Sequence, residues 1–142
     1  MKKTSILRNK TLIIGCGNLG ATIANKFITE GKNIMVVDTD AKSFERLSDR
    51  FSGYTILGDV TECEVLEEAY ISTAKEIIIT TGDDNINLFV AHIARKIYDV
   101  PSIYVRLSDP DSEVLLQGMN IHAIYPLELS FEKFNLMRGG QK

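Results

Sequence analysis

The sequence predicts an α/β fold, a doubly wound parallel sheet of six strands with helices on both faces. Three observations predict it. An apolar run, Thr11-Leu12-Ile13-Ile14, empties directly into Gly15-Cys16-Gly17-Asn18-Leu19-Gly20, a G-x-G-x-x-G turn. A second apolar run, Ile34-Met35-Val36-Val37, ends in an acid, Asp38, which lies 18 residues beyond Gly20. Short β-rich runs then alternate with helical stretches along the chain, with no linker or low-complexity segment between them. Strand, turn, helix, strand and terminal acid in that order are the parts of a Rossmann-like dinucleotide fold. Right-handed crossovers place its helices on both faces.

The elements follow in sequence. The first strand is expected at residues 10–15 and the first helix at 18–30. Leu19, Ile23, Phe27 and Ile28 recur there at helical spacing, and Gly31 supplies the stop. A strand at 34–38 precedes a helix capped by Asp40, with Phe44, Leu47 and Phe51 on one face. The third strand, 54–57, ends in Gly58-Asp59, and an acid-rich helix follows at 62–70 after Thr61. The isoleucine run at 76–81 reads as a parallel strand covered on both faces. Thr81-Gly82-Asp83-Asp84 is its turn, and 86–98 is the most apolar helix, broken by Pro101. A fifth strand at 102–107 leads to a helix from Asp109-Pro110 to about Gln117, with Gly118 at its stop. A short sixth strand at 123–125 is closed by Pro126. The last amphipathic helix covers 129–137 and ends at Gly139-Gly140.

At 142 residues the chain is one domain, large enough to bury a core. It is 44% hydrophobic and 25% charged, with a net charge of −3, which gives no general argument for nucleic acid or an anionic membrane. No apolar run approaches the roughly 18 residues a membrane span requires. The basic start, residues 1–10, lacks the apolar stretch of a signal peptide. Cys16 and Cys63 are far apart and form no C-x-x-C or metal cluster. A reducing cytosol is the expected home.

In such a sheet the ligand crevice lies outside the carboxyl ends of the strands, where the strand order reverses. Those ends carry Gly15, Cys16, Gly17, Asn18, Leu19 and Gly20, then Asp38 and Thr39, then Gly58, Asp59 and Val60. Thr81, Gly82, Asp83 and Asp84 follow, and finally Arg106. In the glycine turn, Gly15 permits the tight bend, Gly17 lets a pyrophosphate approach the backbone, and Gly20 lets the helix pack closely. The N–H groups opening that helix have no partner within it and can face an anion. Asp38 should accept from ribose hydroxyls and repel a 2′-phosphate. No arginine follows to receive such a phosphate, so NAD(H) is favoured over NADP(H).

Other residues keep two readings. Asp59 is either a contact to an exocyclic amine or the cap of the next helix, where Thr61 competes with it. Asp83 and Asp84 are ligand contacts or caps. Arg106 meets a phosphate or a neighbouring subunit's carboxylate, or is simply solvated. Cys16 is the variable residue of the turn rather than a redox centre. His92 lies within the apolar helix and His122 in a turn with no carboxylate or nucleophile beside it. The residues offer no catalytic constellation, no lysine–tyrosine pair for hydride transfer and no second lobe for a substrate. A bound nucleotide with nothing to react with suggests a sensor. The rivals are a small NAD-dependent oxidoreductase that borrows a substrate site from a dimer partner, and a nucleotide module serving another transporter or a transcriptional regulator.

The chain resembles the N-terminal (TrkA-N) domain of RCK proteins, the TrkA/KtrA-type subunits of potassium uptake systems. The resemblance rests on Ile14–Gly20, Val36-Val37-Asp38-Thr39-Asp40, Gly58-Asp59-Val60-Thr61, the turn from Thr81 to Asn87, Val105-Arg106, and Gly118 followed by Ile124-Tyr125-Pro126. It covers residues 10–134. It implies a regulator that is not an enzyme, binding NAD(H), AMP, ADP or ATP. It also implies a homodimer that assembles into a larger ring such as an octamer on a membrane potassium pore subunit, at the inner face of the membrane. The final segment, 127–137, fits a helix that crosses to a neighbouring subunit, the alternative being packing on its own sheet. ATP-responsive relatives carry an arginine in the glycine turn where this chain has Asn18, which favours NAD(H), ADP or AMP. Leu127 stands where relatives place a glutamate, which leaves a metal bridge there in doubt. The family's C-terminal lobe is expected to be absent from residues 1–142, which form a single nucleotide-binding domain, either a stand-alone member or the N-terminal piece of a longer chain.

Overall fold

A computed structural model of the protein describes residues 7–139. The basic start up to residue 6 and the Gly140 half of the terminal glycine pair lie outside the described residues. Six strands, β1 (Lys10–Ile14), β2 (Asn33–Asp38), β3 (Tyr54–Leu57), β4 (Ala74–Ile79), β5 (Ser102–Arg106) and β6 (His122–Ile124), form one parallel sheet. Their order is β3-β2-β1-β4-β5-β6, the doubly wound order expected, and it reverses between β1 and β4.

Alternate side chains of the central strands enter two cores, which is why these strands read as unbroken apolar runs. On one face Leu12, Ile14, Ile77, Ile79 and Ile103 pack against α2 (Cys63–Glu68) and α3 (Asp84–Lys96). On the other, Ile13, Val36 and Ile78 pack against α1 (Asn18–Phe27). Each fully buried isoleucine contributes about 1.5–3 kcal/mol relative to exposure. Thr11, also fully buried, satisfies its hydroxyl on Glu76 at 2.7 Å.

Several elements differ from expectation in kind or extent. After Asp40 the chain makes a 3-10 turn, Ala41–Arg46, rather than a longer helix, although Asp40 caps it by accepting from the Lys42 amide. Asn25 of α1 explains the stop. It donates to the Arg46 carbonyl and accepts from the Ser48 amide, taking the groups a continuing helix needs. Phe44, Leu47 and Phe51 still pack on the Ile13 side. The segment after Asp109 is likewise a 3-10 helix, Pro110–Leu116, with His92 Nε2 held 3.0 Å from the Leu115 carbonyl. α1 gives way to a 3-10 turn, Ile28–Glu30, which Gly31 closes at φ +67°. α2 is short because Tyr70 turns left-handed at φ 65°.

The last helix, α4 (Pro126–Met137), begins earlier than the periodicity suggested, with proline in its first turn. None of its residues is buried. Leu127, Leu129, Phe131, Phe134, Leu136 and Met137 are each at least half exposed, so α4 does not pack on its own sheet. No described helix is long and apolar enough to cross a membrane.

Candidate functional site

The glycine turn is built by close backbone approach. Gly15 sits at φ +95°, and a Cβ there would lie 2.9 Å from the Thr81 nitrogen. A Cβ at Gly20 would lie 2.0 Å from the Gly15 carbonyl oxygen and 2.7 Å from Thr80 Oγ1. Those contacts are the reason α1 can begin directly beneath the turn. Gly17 is different: nothing stands within 4 Å of its would-be Cβ, so that side of the turn is open. The first helical hydrogen bond runs from the Ala21 amide to the Gly17 carbonyl at 2.9 Å. The amides of Asn18, Leu19 and Gly20 therefore have no partner within the helix.

Asp38 closes the turn from β2. Its Oδ2 accepts from the Cys16 amide at 2.7 Å and its Oδ1 from the Asp40 amide at 2.8 Å. Each oxygen keeps acceptor capacity beyond that bond. Cys16 turns inward, fully buried, with its thiol 3.4 Å from the Ser43 carbonyl. Burial, reinforced by the Asp38 carboxylate, pushes that thiol's pKa up, the opposite of what a reactive thiolate needs. An arginine does return to this region despite none following Asp38 directly. Arg46 Nη1 donates to the Cys16 carbonyl at 3.3 Å, although Arg46 does not line the main cleft.

The acids beyond β3 and β4 fall into separate roles. Asp59 caps no helix. Its Oδ1 accepts from the Thr61 amide and hydroxyl, and these bonds hold its carboxyl below the usual range. Asp83 caps α3, accepting from the Asn85 and Ile86 amides. Asp84 accepts from the Ser108 and Asp109 amides and so ties α3 to the loop after β5.

Arg106, at the end of β5, donates from Nη1 to the Thr81 carbonyl at 3.0 Å and forms no ion pair among the described residues. Asn87 organises this corner. Fully buried, it donates to the Thr81 and Arg106 carbonyls and accepts from the Thr81 amide and hydroxyl. All of its carboxamide capacity is used, which stitches the ends of β4 and β5 together.

These pieces meet in a cleft of about 620 Å³ at the carboxyl edge of the sheet. Gly15, Gly17, Asn18 and Leu19 line its middle; Asp38, Thr39, Gly58, Asp59 and Val60 line one end. Thr81, Gly82 and Arg106 line the other. Cys16, Gly20 and Asp84 support the wall from behind rather than facing it. Sequence reasoning missed Ile14, Val37, Thr80, Ile86, Ile124, Pro126 and Leu129, which also line the cleft. Thr80 and Ile86 flank recognised turn residues and were within reach. Leu129 carries no local signal, because only the path of α4 brings it there. Neither histidine lines the cleft: His122 stacks on Tyr104 at 5.2 Å between ring centres. Among the described residues no group of three His, Cys, Asp or Glu is placed to hold a metal. Chemically the cleft offers free amides and one cation for an anion, with carboxylates at one end for hydroxyl or amine donors.

A family model described as the TrkA-N domain matches residues 11–126. The chain belongs to the TrkA-N domain family. Among curated relatives, the Trk system potassium uptake protein TrkA of Streptomyces coelicolor is 30% identical over 113 residues, covering 80% of this chain and 51% of the relative. A TrkA homolog from Methanothermobacter thermautotrophicus is 32% identical over 116 residues, covering 81% and 53%. This TrkA-N chain thus spans about half the length of those relatives. Among solved structures, the TrkA-N domain of the Escherichia coli inner membrane protein ybaL superposes with a TM-score of 0.77 at 20% identity, covering 92% of this chain and 97% of that one. GsuK bound to ADP superposes at 0.76 with 19% identity, covering 91% and 34%. The GsuK channel bound to NAD superposes at 0.70 with 20% identity, covering 90% and 23%. At these identities the structures speak to the fold, which is the Rossmann-like one described.

Proposed function

We propose that this TrkA-N chain is a cytosolic regulatory subunit that reads NAD(H) or an adenine nucleotide and biases the gate of a membrane potassium uptake transporter or channel. The observation that carries this reading is the cleft itself. At the switch point of the sheet it sets an open helix N-terminus, the Asp38 carboxylate and Arg106, which forms no ion pair among the described residues, around one volume. The three groups suit phosphate, ribose and phosphate in turn.

In this reading the amides beyond Gly17 receive a pyrophosphate, Asp38 and Thr39 take the ribose diol, and Gly58, Asp59 and Val60 border the adenine. Thr81, Gly82 and Arg106 hold the distal phosphate or second nucleotide. The solved neighbours bound to ADP and to NAD support a nucleotide of this size range. Asn18 in place of a cation favours NAD(H), ADP or AMP over ATP. The curated relatives are potassium uptake proteins, which supports regulation over hydride transfer. The exposed apolar α4 supports a homodimer, and through it a larger ring on the pore subunit.

Regulation requires only that ligands bind two conformations with different affinity. The test is potassium flux through the reconstituted membrane partner, measured with the subunit present and NADH, AMP, ADP or ATP added. The account expects at least one nucleotide to change the flux. Flux indifferent to all four contradicts it.

A further inference from the structure

One buried hydroxyl in the cleft wall is spent on the backbone of the glycine turn. Thr80 follows β4 directly, lines the cleft and is only 5% exposed. Its amide donates to the Ile14 carbonyl at 2.7 Å, continuing the pairing of β4 with β1. Its hydroxyl donates as well, shared between the Ile14 and Gly15 carbonyls at 3.0 Å each. Among the described residues the Gly15 carbonyl has no other hydrogen-bond donor. The amide of the same peptide unit, that of Cys16, donates to Asp38 Oδ2 at 2.7 Å. β2 and β4 flank β1 in the sheet. The Gly15–Cys16 peptide is therefore pinned from both neighbours, by a carboxylate on one side and a hydroxyl on the other.

We infer that Thr80 is a positioning residue for the phosphate site, acting through the Gly15 carbonyl. This rests on the nucleotide reading above. Gly15 is buried, sits at φ +95° and has no side chain, so the peptide after it rotates at little steric cost. Without the Thr80 hydroxyl the buried carbonyl loses its donor, and turning toward the water of the cleft restores one. The turned carbonyl sets a partial negative charge beside the amides of Asn18 and Leu19, where the phosphate is to sit. The nucleoside contacts are made elsewhere. Asp38 stays held by the Asp40 amide at 2.8 Å, and Gly58, Asp59 and Val60 follow a different strand. Loss of the hydroxyl is therefore felt through the phosphate and not through the nucleoside.

The test titrates AMP and adenosine by calorimetry into the full chain, Thr80→Ala and Thr80→Ser, with thermal unfolding to check that each variant folds. Thr80→Ala should weaken AMP by about five- to twentyfold while adenosine stays within about twofold of the parent. Serine keeps the donor, so Thr80→Ser should hold AMP within about threefold of the parent. If the alanine variant does not fold, Thr80→Val, which keeps the branched shape and removes the donor, is read in its place. Equal weakening of AMP and adenosine, unchanged AMP affinity without the donor, or a serine variant as weak as alanine would overturn the positioning role while leaving nucleotide binding intact. A parent chain that binds neither AMP nor adenosine overturns the nucleotide reading and this inference with it.

Discussion

Gly17 and Gly20 belong to one motif, yet the structure gives them opposite jobs, and two alanine substitutions separate these. At Gly20 an added Cβ would stand 2.0 Å from the Gly15 carbonyl oxygen, against the 3.4 Å at which ordinary contact begins. The shortfall is 1.4 Å (3.4 − 2.0), and the obstacle is backbone with Thr80 Oγ1 beside it at 2.7 Å. Relief requires α1 to move off the turn. Overpacking of this kind costs about 1–3 kcal/mol and occasionally more. Gly20 lies within α1, so alanine recovers up to about 1 kcal/mol of helix propensity. A backbone obstacle puts the cost at the upper end of that range, so the net expectation is a destabilisation of about 2–3 kcal/mol, or a fall in Tm of roughly 7–10 °C. At Gly17 the Cβ meets nothing within 4 Å and φ is −80°. Gly17→Ala should cost within about 1 kcal/mol, mainly as a poorer N-cap. Its methyl instead occupies the open side of the turn, where it should weaken NADH by about tenfold or more. Denaturant unfolding reads the first effect, as a shift in midpoint at constant m, and calorimetric titration reads the second. A neutral Gly20→Ala, equal destabilisation by both variants, or parental NADH affinity in Gly17→Ala would refute the reasoning.

Asn87→Ala should destabilise the fold by about 2–4 kcal/mol, because it strands buried polar groups at the ends of β4 and β5; thermal unfolding checks this. Arg106→Gln should weaken NADH and ADP more than AMP, since it is the distal phosphate or second nucleotide that meets the cation; parallel titrations separate them. Thr61→Ala should raise the Asp59 carboxyl pKa only part of the way toward its ordinary value of about 3.9, because the amide of residue 61 still donates; NMR titration reads it. Asp59's pKa is lowered in the fold, so its stabilising contribution is present above about pH 3.9 and lost as pH falls through the lower folded value.

The half of the fold nearest the cleft was legible because its constraints are local. The Gly15–Gly20 turn, the acid ending β2 and the isoleucine run of β4 each announce their geometry within a few residues. The departures arise where a distant side chain decides. Residues 41–51 carry helical spacing, but Asn25 intercepts the backbone after Arg46, and no local pattern records a partner 21 residues away. Asn87 was visible within the Thr81–Asn87 turn, yet its role depends on the register of β5 against β4. Asp59 illustrates a third case. Its spacing suits a cap or a ligand contact, and the structure spends it on Thr61 while leaving it at the cleft. The free apolar face of α4 was legible as a stripe, but not that its first turn would form part of the cleft wall.

The central claim is that this cleft holds a nucleotide by its ribose diol and phosphates. The most direct measurement is a calorimetric titration of NADH and AMP into the chain and into Asp38→Ala. The account predicts saturable binding of one ligand per chain, with AMP displacing NADH. In the variant both ligands should weaken by about 1–3 kcal/mol, the range for losing hydrogen bonds to a charged group. Binding that is absent from the parent chain, or that survives Asp38→Ala unchanged, would contradict it.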